Sequence, residues 1–156
     1  MSLDIIRKFA EDLKKHKESR MEIVYKANNI ITGVELINVF KSAGWNKNPE
    51  DILDAFKNSY YVTAYHNDTL VAFARAISDG YHYTGIYDVI VNPQYQKKGI
   101  AKEMMKMLLR KFKGTYFFLS YTEGNRDFYK KCGFEDLPTG MWIDREKSFN
   151  LDIDSL

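Results

Sequence analysis

Apolar residues recur at helical spacing in the N-terminal part of the chain. The first stretch predicts an amphipathic helix over residues 1–19, and Thr32 and Pro49 are typical first residues of two further helices. These two helices are short and adjacent, which favours a flap over a sheet. The apolar positions are Leu3, Ile6, Phe9 and Leu13 in the first helix, and Val34, Ile37 and Phe40 in the second.

Between Tyr60 and Val91 the pattern changes to runs rich in β-branched and aromatic residues. The segments "YYVTAYH" and "TLVAFARAIS" flank an Asn67-Asp68 turn, and "HYTGIYDVIV" follows the turn "DGY". An earlier strand is predicted in "MEIVYKA". Sequential strands with short turns indicate an antiparallel meander.

The C-terminal part alternates between the two kinds of pattern. A helix follows Val91, then a strand in "GTYFFLSY", a short helix in "GNRDFYKKC" and closing strands in "GFEDL" and "GMWIDRE". This order predicts an α+β fold with a mostly antiparallel central sheet flanked by helices. We expect one domain over residues 1–156, with the first helix as an addition to it. That helix either covers a sheet edge or forms a homodimer contact.

Composition narrows the functional classes. The chain has 156 residues and a formal charge of +2, which gives no argument for a nucleic-acid partner. The single cysteine, Cys132, excludes an internal disulfide, and the sequence shows no metal-ligand spacing. No stretch approaches the roughly 20 apolar residues of a membrane span. We therefore expect a cytoplasmic protein that binds neither membrane nor metal.

The stretch "VIVNPQYQKKGIAKEMM" carries the strongest chemical signal. A strand ends at Pro93 and a helix is predicted to begin near Lys98, so the first turn presents unpaired backbone N–H groups at the positive end of the helix dipole. Gly99 lets a ligand approach the backbone, and Lys97 adds positive charge. The arrangement suits a pyrophosphate. It is neither the dinucleotide fingerprint nor a P-loop, and strand-to-helix turns with glycine are common.

Two motifs resemble those of one enzyme superfamily. "VNPQYQKKGIA" is similar to the acyl-CoA motif Q/R-x-x-G-x-G/A of the GNAT (Gcn5-related N-acetyltransferase) superfamily, and "EGNRDFYKKCGFED" is similar to its second motif. The resemblance covers about Glu22 to Arg145. It implies an acetyl-CoA-dependent N-acetyltransferase with the donor in a splay between the two middle strands.

The resemblance also assigns roles to individual residues. The strand edge would pair with the pantetheine amides, Asn125 would hydrogen-bond the pantetheine arm, and Tyr129 would protonate the departing thiolate. Backbone amides of one loop would hold the pyrophosphate. The strand edge is Val89, Ile90 and Val91; the loop is Gln96, Lys97, Lys98, Gly99, Ile100 and Ala101.

Acetyl transfer to an amine also needs a general base and an oxyanion site. A backbone N–H near Val89 or Ile90 is the candidate for the oxyanion. Asp88 is our first candidate for the base, although strand alternation points it away from the face shared by Tyr87, Val89 and Val91 unless a bulge intervenes. The alternatives are Tyr87, Asp79, His82 and Glu123.

The acceptor is predicted to be a small primary amine that binds between the early helices and the sheet. Aromatic residues there favour an aromatic or amphipathic amine, although aromatic residues also fill cores. Two alternatives stay open: a domain that binds acyl-CoA without turnover, and a protein or peptide N-acetyltransferase. The aromatic residues are Trp45, Tyr60, Tyr61, Phe73, Tyr81, Tyr83 and Tyr87.

Overall fold

A computed structural model of the protein describes residues 2–18 and 21–155. The chain forms two compact units, of which one extends to Tyr121 and the other begins at Thr122. The prediction of one domain over the whole chain stays a prediction.

The first unit contains most of the regular structure. In chain order its elements are α1 (Leu3–Glu18), β1 (Val24–Ala27), α2 (Gly33–Ser42), α3 (Pro49–Lys57), β2 (Tyr60–His66), β3 (Thr69–Ser78), β4 (Tyr83–Val91), a 3-10 turn (Pro93–Tyr95), α4 (Ile100–Lys111) and β5 (Tyr116–Phe118). The second unit has α5 (Arg126–Lys131), α6 (Arg145–Phe149) and a 3-10 turn (Ile153–Ser155).

Local capping explains where α2 and α3 begin. Thr32 accepts a hydrogen bond from the N–H of Glu35, whose carboxylate accepts one from the N–H of Thr32, so the two residues form a capping box. Asn48 caps α3 through its side chain, and Pro49 occupies the first helical turn. Both helix starts agree with the sequence prediction.

Within the described residues, the sheet has five strands in the order β1-β2-β3-β4-β5. The first four strands pair antiparallel, and β4 pairs with β5 in parallel. Asn67 and Asp68 both have positive φ, as a two-residue hairpin turn requires. The predicted α+β fold with a mostly antiparallel sheet is confirmed.

Buried side chains cover both faces of this sheet. On one face Tyr61, Tyr65 and Phe73 pack with Leu36 of α2 and Phe56 of α3. Strand residues alternate between faces, so the intervening buried residues lie on the other face, where α4 contacts β2 and β3. These residues are Val62, Ala64, Ala72, Ala74 and Ala76, and α4 contributes Ile100, Met104, Met105 and Leu108.

The two predicted closing strands are wrong. In "GFEDL", Gly133 has a φ of 97°, and the carboxylate of Asp136 binds Arg126 and Lys130. In "GMWIDRE", Asp144 caps α6 by accepting a hydrogen bond from the N–H of Lys147. Side-chain contacts rather than strand pairing therefore organise both segments. As a result β5 lies at the edge of the sheet, and the splay predicted between two middle strands instead lies between β4 and an edge strand.

The first helix is confirmed as α1, although residues 1 and 19 of the prediction lie outside the described residues. Its apolar side chains are exposed, including Leu3 and Phe9. The helix after β4 begins at Ile100 rather than near Lys98. Lys97 and Gly99 both have positive φ, which a right-handed helix does not accommodate.

Candidate active site

Strands β4 and β5 separate soon after they meet. Their parallel register covers only three pairs, the last of which is Gly85 with Phe118. In the part of the chain that the structure describes, β4 continues to Val91 without pairing to β5. One edge of β4 therefore offers backbone N–H and C=O groups to an extended ligand, as in recognition by strand addition.

A β-bulge interrupts β4 beside this edge. Phe73 pairs with Ile90, and Arg75 pairs with Tyr87, so one residue of β3 faces two residues of β4. The extra residue is in the segment Asp88–Val89, where Asp88 has a φ of 49°. The bulge changes the alternation, because Tyr87 and Ile90 now share a face. The sequence prediction that placed Tyr87 with Val89 and Val91 holds only for an unbulged strand.

The carboxylate of Asp88 is paired with an arginine of the neighbouring strand. Arg75 Nε donates a hydrogen bond to Asp88 Oδ2 at 2.5 Å, and the two side chains are only 15% and 24% exposed. The guanidinium of Arg75 also lies 5.3 Å from the centroid of the Tyr87 ring. Sequence reasoning missed Arg75, which lies in the predicted strand "TLVAFARAIS".

The loop after β4 is shaped by its own side chains. Asn92 caps the 3-10 turn by accepting a hydrogen bond from the N–H of Gln94 at 3.0 Å. Gln96 Nε2 donates to the carbonyl oxygen of Val91 at 3.2 Å, which ties the loop back to the end of the strand. Tyr95 Oη lies 2.8 Å from Nδ1 of His66, at the end of β2. Sequence reasoning missed this last contact because the two residues are distant in the chain.

Gly99 is the N-cap of α4 and has a φ of 82°. Among the described residues, no side chain caps this helix, so its first backbone N–H groups keep their capacity to bind an anion. A Cβ built on Gly99 meets no heavy atom within 4 Å, which leaves space above the backbone. Lys97 and Lys98 are exposed beside it. By charge, conformation and access, the segment has the properties of an anion-binding site.

The second unit contains the remaining two predicted site residues. Asn125 is exposed at the start of α5, and its Nδ2 donates a hydrogen bond to Thr122 Oγ1 at 2.8 Å. Tyr129 is buried, and its ring lies 5.0 Å from that of Phe128 and 6.1 Å from that of Phe134. Burial, with a smaller contribution from Cys132, raises the pKa of Tyr129 to about 12. The phenol therefore keeps its proton at neutral pH.

The alternative candidates for the general base differ in their hydrogen bonds and their exposure. Asp79 Oδ1 accepts hydrogen bonds from the backbone N–H groups of Tyr81, His82 and Tyr83 at 2.7 to 3.1 Å. These bonds lower the pKa of Asp79 below its ordinary value, so it is a weaker base that shapes the turn before β4. His82, Tyr87 and Glu123 are exposed.

The aromatic residues predicted near the acceptor divide into two groups. Tyr61 and Phe73 are buried in the core, and Tyr60 is half-buried. The others are exposed, and the Tyr83 ring packs near those of two β5 residues at 5.8 and 5.9 Å. An aromatic surface therefore lies at the point where β4 and β5 still pair. This surface consists of Tyr83, Tyr116 and Phe118. Trp45, Tyr81 and Tyr87 are also exposed.

Two further features are absent from the described residues. The described residues contain no group of three or more histidine, cysteine, aspartate or glutamate side chains arranged to hold a metal ion. None of the described helices combines the length and apolar character needed to cross a membrane.

Comparison with known proteins supports the class that the fold and loop define. The model of the acetyltransferase (GNAT) family matches residues 31–134, which is more than half of the chain. The protein therefore belongs to the GNAT acetyltransferase family.

Named relatives agree with this class. The uncharacterized N-acetyltransferase ycf52 of Pyropia yezoensis is 31% identical over 129 residues, which cover 77% of this chain and 74% of the algal protein. GCN5-related N-acetyltransferase 2 of Arabidopsis thaliana, described as chloroplastic, is 28% identical over 151 residues. That match covers 77% of this chain and 56% of the plant protein, so the chain spans little more than half of that relative.

Solved structures show the same fold. A GNAT family acetyltransferase from Streptococcus pneumoniae superposes with a TM-score of 0.69 at 28% identity, covering 80% of this chain and 99% of that one. An acetyltransferase from Clostridium acetobutylicum, described with acetyl-CoA, gives a TM-score of 0.64 at 18% identity, covering 81% and 98%. The second similarity shows the fold alone.

Proposed function

We propose that the protein transfers an acetyl group from acetyl-CoA to the primary amine of a small molecule. One observation carries the proposal. One loop connects the unpaired edge of β4 to the uncapped N-terminus of α4. This strand-loop-helix segment therefore offers groups that pair with amides, followed by groups that bind an anion. This order matches a donor that has amides in its arm and a pyrophosphate beyond them. Family membership supports acetyl transfer.

The donor-binding residues of the proposal follow from this segment. The edge of Val89, Ile90 and Val91 pairs with the pantetheine amides. Backbone N–H groups from Gln96 to Ala101 bind the pyrophosphate, and Lys97 and Lys98 add positive charge. Asn125 is proposed to hydrogen-bond the pantetheine arm.

The reaction forms one bond and breaks another. The neutral amine nitrogen attacks the thioester carbonyl carbon, and the negative charge that develops on the oxygen is stabilised by a backbone N–H near Val89 or Ile90. The carbon–sulfur bond then breaks, the nitrogen loses one proton to a base and the thiolate gains one. The products are an amide and free coenzyme A.

Tyr129 is proposed as the acid that protonates the thiolate. Its raised pKa keeps the proton available at neutral pH, and transfer to sulfur in the transition state is worth about a hundredfold in rate. We expect Tyr129→Phe to lower kcat by about that factor while acetyl-CoA binds as before. Since its pKa is about 12, the wild-type kcat should show no loss from a tyrosine ionising at the ordinary value of 10.0.

Tyr25→Phe is the matched control, because Tyr25 also has a pKa raised by burial but lies in β1. It should leave kcat unchanged. An unchanged kcat and pH profile in Tyr129→Phe would remove Tyr129 from the mechanism.

The acceptor class is inferred from exposed aromatic side chains. Trp45, Tyr83 and Tyr87 present rings that suit an amine attached to an aromatic or amphipathic body. Protein or peptide N-acetylation is the second candidate, because a Glycine max relative is named a histone acetyltransferase. That relative is 28% identical, and the chain covers 59% of it. The predicted cytoplasmic location stays a proposal, since one plant relative is described as chloroplastic.

The test is acetyl-CoA-dependent release of free thiol across arylalkylamines, polyamines, aminosugars, amino acids and basic peptides. We expect release with an arylalkylamine and little with the peptides. Release with peptides alone would favour the second candidate. Acetyl-CoA binding without release for any acceptor would favour a domain that binds acyl-CoA without turnover.

A further inference from the structure

The bulge in β4 needs something to hold it. Asp88 has a φ of 49°, a left-handed conformation that is uncommon for residues other than glycine, although aspartate adopts it more readily than most. The strand on either side is regularly paired with β3. A regular ladder through this region would remove both the extra residue and the unusual φ. Persistence of the bulge therefore depends on surrounding contacts that favour it.

Arg75 makes contacts of this kind to both residues at the start of the bulge. It is the cross-strand partner of Tyr87, whose ring centroid lies 5.3 Å from the guanidinium carbon. Its Nε donates to Oδ2 of the next residue, Asp88, at 2.5 Å. The arginine can make both contacts together only while Tyr87 and Asp88 keep the bulged arrangement.

Arg75 also contacts residues at the end of α3. Its guanidinium carbon lies 6.0 Å from the ring centroid of Phe56 in α3, and Nη1 lies 3.5 Å from Oγ of Ser59. Phe56 is completely buried. Arg75 therefore connects the bulge to the packed end of α3 rather than to solvent.

The Tyr87 ring also has a fixed place on the strand. A Cβ built on Gly85 would come within 2.6 Å of that ring, so the ring occupies the space that a side chain at Gly85 would need. Gly85 is the last residue of β4 that pairs with β5. The stack formed by Gly85, Tyr87 and Arg75 thus lies where the donor edge begins.

The ion pair between Arg75 and Asp88 is largely shielded from solvent, which makes it important for the shape of this region. Arg75 and Asp88 are 15% and 24% exposed. A charge that loses its partner in such a place is costly, far more than at an exposed ion pair. Removal of either partner should therefore release the bulge, and removal of the second should add little.

We propose that Arg75 is a positioning residue that holds the bulge of β4 in the shape the donor edge requires, and that Asp88 is its anchor rather than the general base. The inference rests on the proposed function. It assigns Asp88 a role in donor binding, while the proton from the amine goes to a group other than Asp88.

A double-mutant cycle with Arg75→Gln and Asp88→Asn separates the two roles of Asp88. We expect each single variant to raise the acetyl-CoA dissociation constant about tenfold, and the double variant to raise it by no more than about the same factor. The pH dependence of kcat should keep its acidic limb in Asp88→Asn. Arg75→Lys, which keeps the charge but not the planar fork, should give an intermediate value.

A general base would behave differently. Asp88→Asn would then lower kcat about a hundredfold or more and remove the acidic limb, with acetyl-CoA bound as before, while Arg75→Gln would have no such effect. That pattern would overturn the proposal. Arg110→Gln, an exposed arginine on α4, is the control for a general effect of lost charge and should change neither constant.

Amide hydrogen exchange of residues 87–90, measured without acetyl-CoA, tests independently of activity whether the Arg75–Asp88 ion pair holds the bulge. We expect exchange to become about tenfold faster in both single variants and to stay unchanged in Arg110→Gln. Unchanged exchange in Arg75→Gln would overturn the proposal even in an active enzyme. If exchange is faster in the variants but the wild-type protein does not bind acetyl-CoA, the role of Arg75 in holding the bulge stands and the proposed function is rejected.

Discussion

The bulge of β4 and the loop before α4 are only a few residues apart, yet different forces hold them. Both contain residues with positive φ, which are Asp88 in the bulge and Lys97 and Gly99 in the loop. At Gly99 the residue type satisfies the conformation, because glycine has no Cβ to clash. In the bulge a contact from another strand satisfies it, because Arg75 binds the aspartate. The left-handed conformation is therefore accommodated by the residue type at Gly99, whereas at Asp88 its cost is offset by a tertiary contact.

Of the next three substitution tests, the one with the largest expected effect concerns the loop. Gly99→Ala adds a Cβ at a φ of 82°, and Gly114→Ala does the same at 94° in the turn before β5. Both glycines have open space around them, so both variants should lose about 1 to 2 kcal/mol of unfolding free energy from left-handed strain alone. Only Gly99→Ala should also weaken acetyl-CoA binding, by about tenfold. Thermal unfolding and calorimetric titration measure the two quantities.

Equal weakening of acetyl-CoA binding by the two alanine variants would place the pyrophosphate elsewhere. It would also remove the contrast between loop and bulge, since strain anywhere in the first unit would then have the same consequence.

A smaller effect tests the bulge from the opposite direction. Asp88→Gly suits a φ of 49° better than aspartate does, but it removes the partner of Arg75. If the ion pair holds the bulge, acetyl-CoA should bind about fivefold more weakly despite the relieved strain. Binding as tight as in the wild type would mean that backbone conformation alone matters here, as it does at Gly99.

The smallest expected effect concerns a side chain that closes the loop. Gln96→Leu removes the hydrogen bond from Nε2 to the carbonyl oxygen of Val91, which should weaken acetyl-CoA binding about threefold. Gln94→Leu is the matched control, because Gln94 contributes a backbone N–H to the turn rather than its side chain. A similar loss in both variants would show that any glutamine in the loop matters by bulk alone.

The same contrast explains what could be predicted from the sequence. Thr32, Pro49 and Gly99 are residue types that favour helix starts, and in the structure a helix begins beside each of them. The order of β2, β3 and β4 followed from period-two patterns and short turns. These features depend on residues close together in the chain.

Features that depend on distant residues were missed or wrong. Alternation predicted a regular β4. The residues adjacent to Asp88 in the sequence do not indicate that Arg75, on the neighbouring strand, binds its carboxylate. "GFEDL" has strand-like composition, but the carboxylate of Asp136 binds Arg126, which lies in α5. "GMWIDRE" is different, because a local contact between Asp144 and the N–H of Lys147 begins a helix there. The roles of Asn125 and Tyr129 came from resemblance alone and stay predictions.

The central claim is that the segment from Val89 to Ala101 binds acetyl-CoA through its backbone. Calorimetric titration of acetyl-CoA into the wild-type protein, Gly99→Glu and Gly114→Glu tests it most directly. We predict binding to the wild type and Gly114→Glu, and a loss of at least about a hundredfold in Gly99→Glu, where a carboxylate would meet the pyrophosphate. Binding that survives in Gly99→Glu, or is absent from the wild type, would contradict the account.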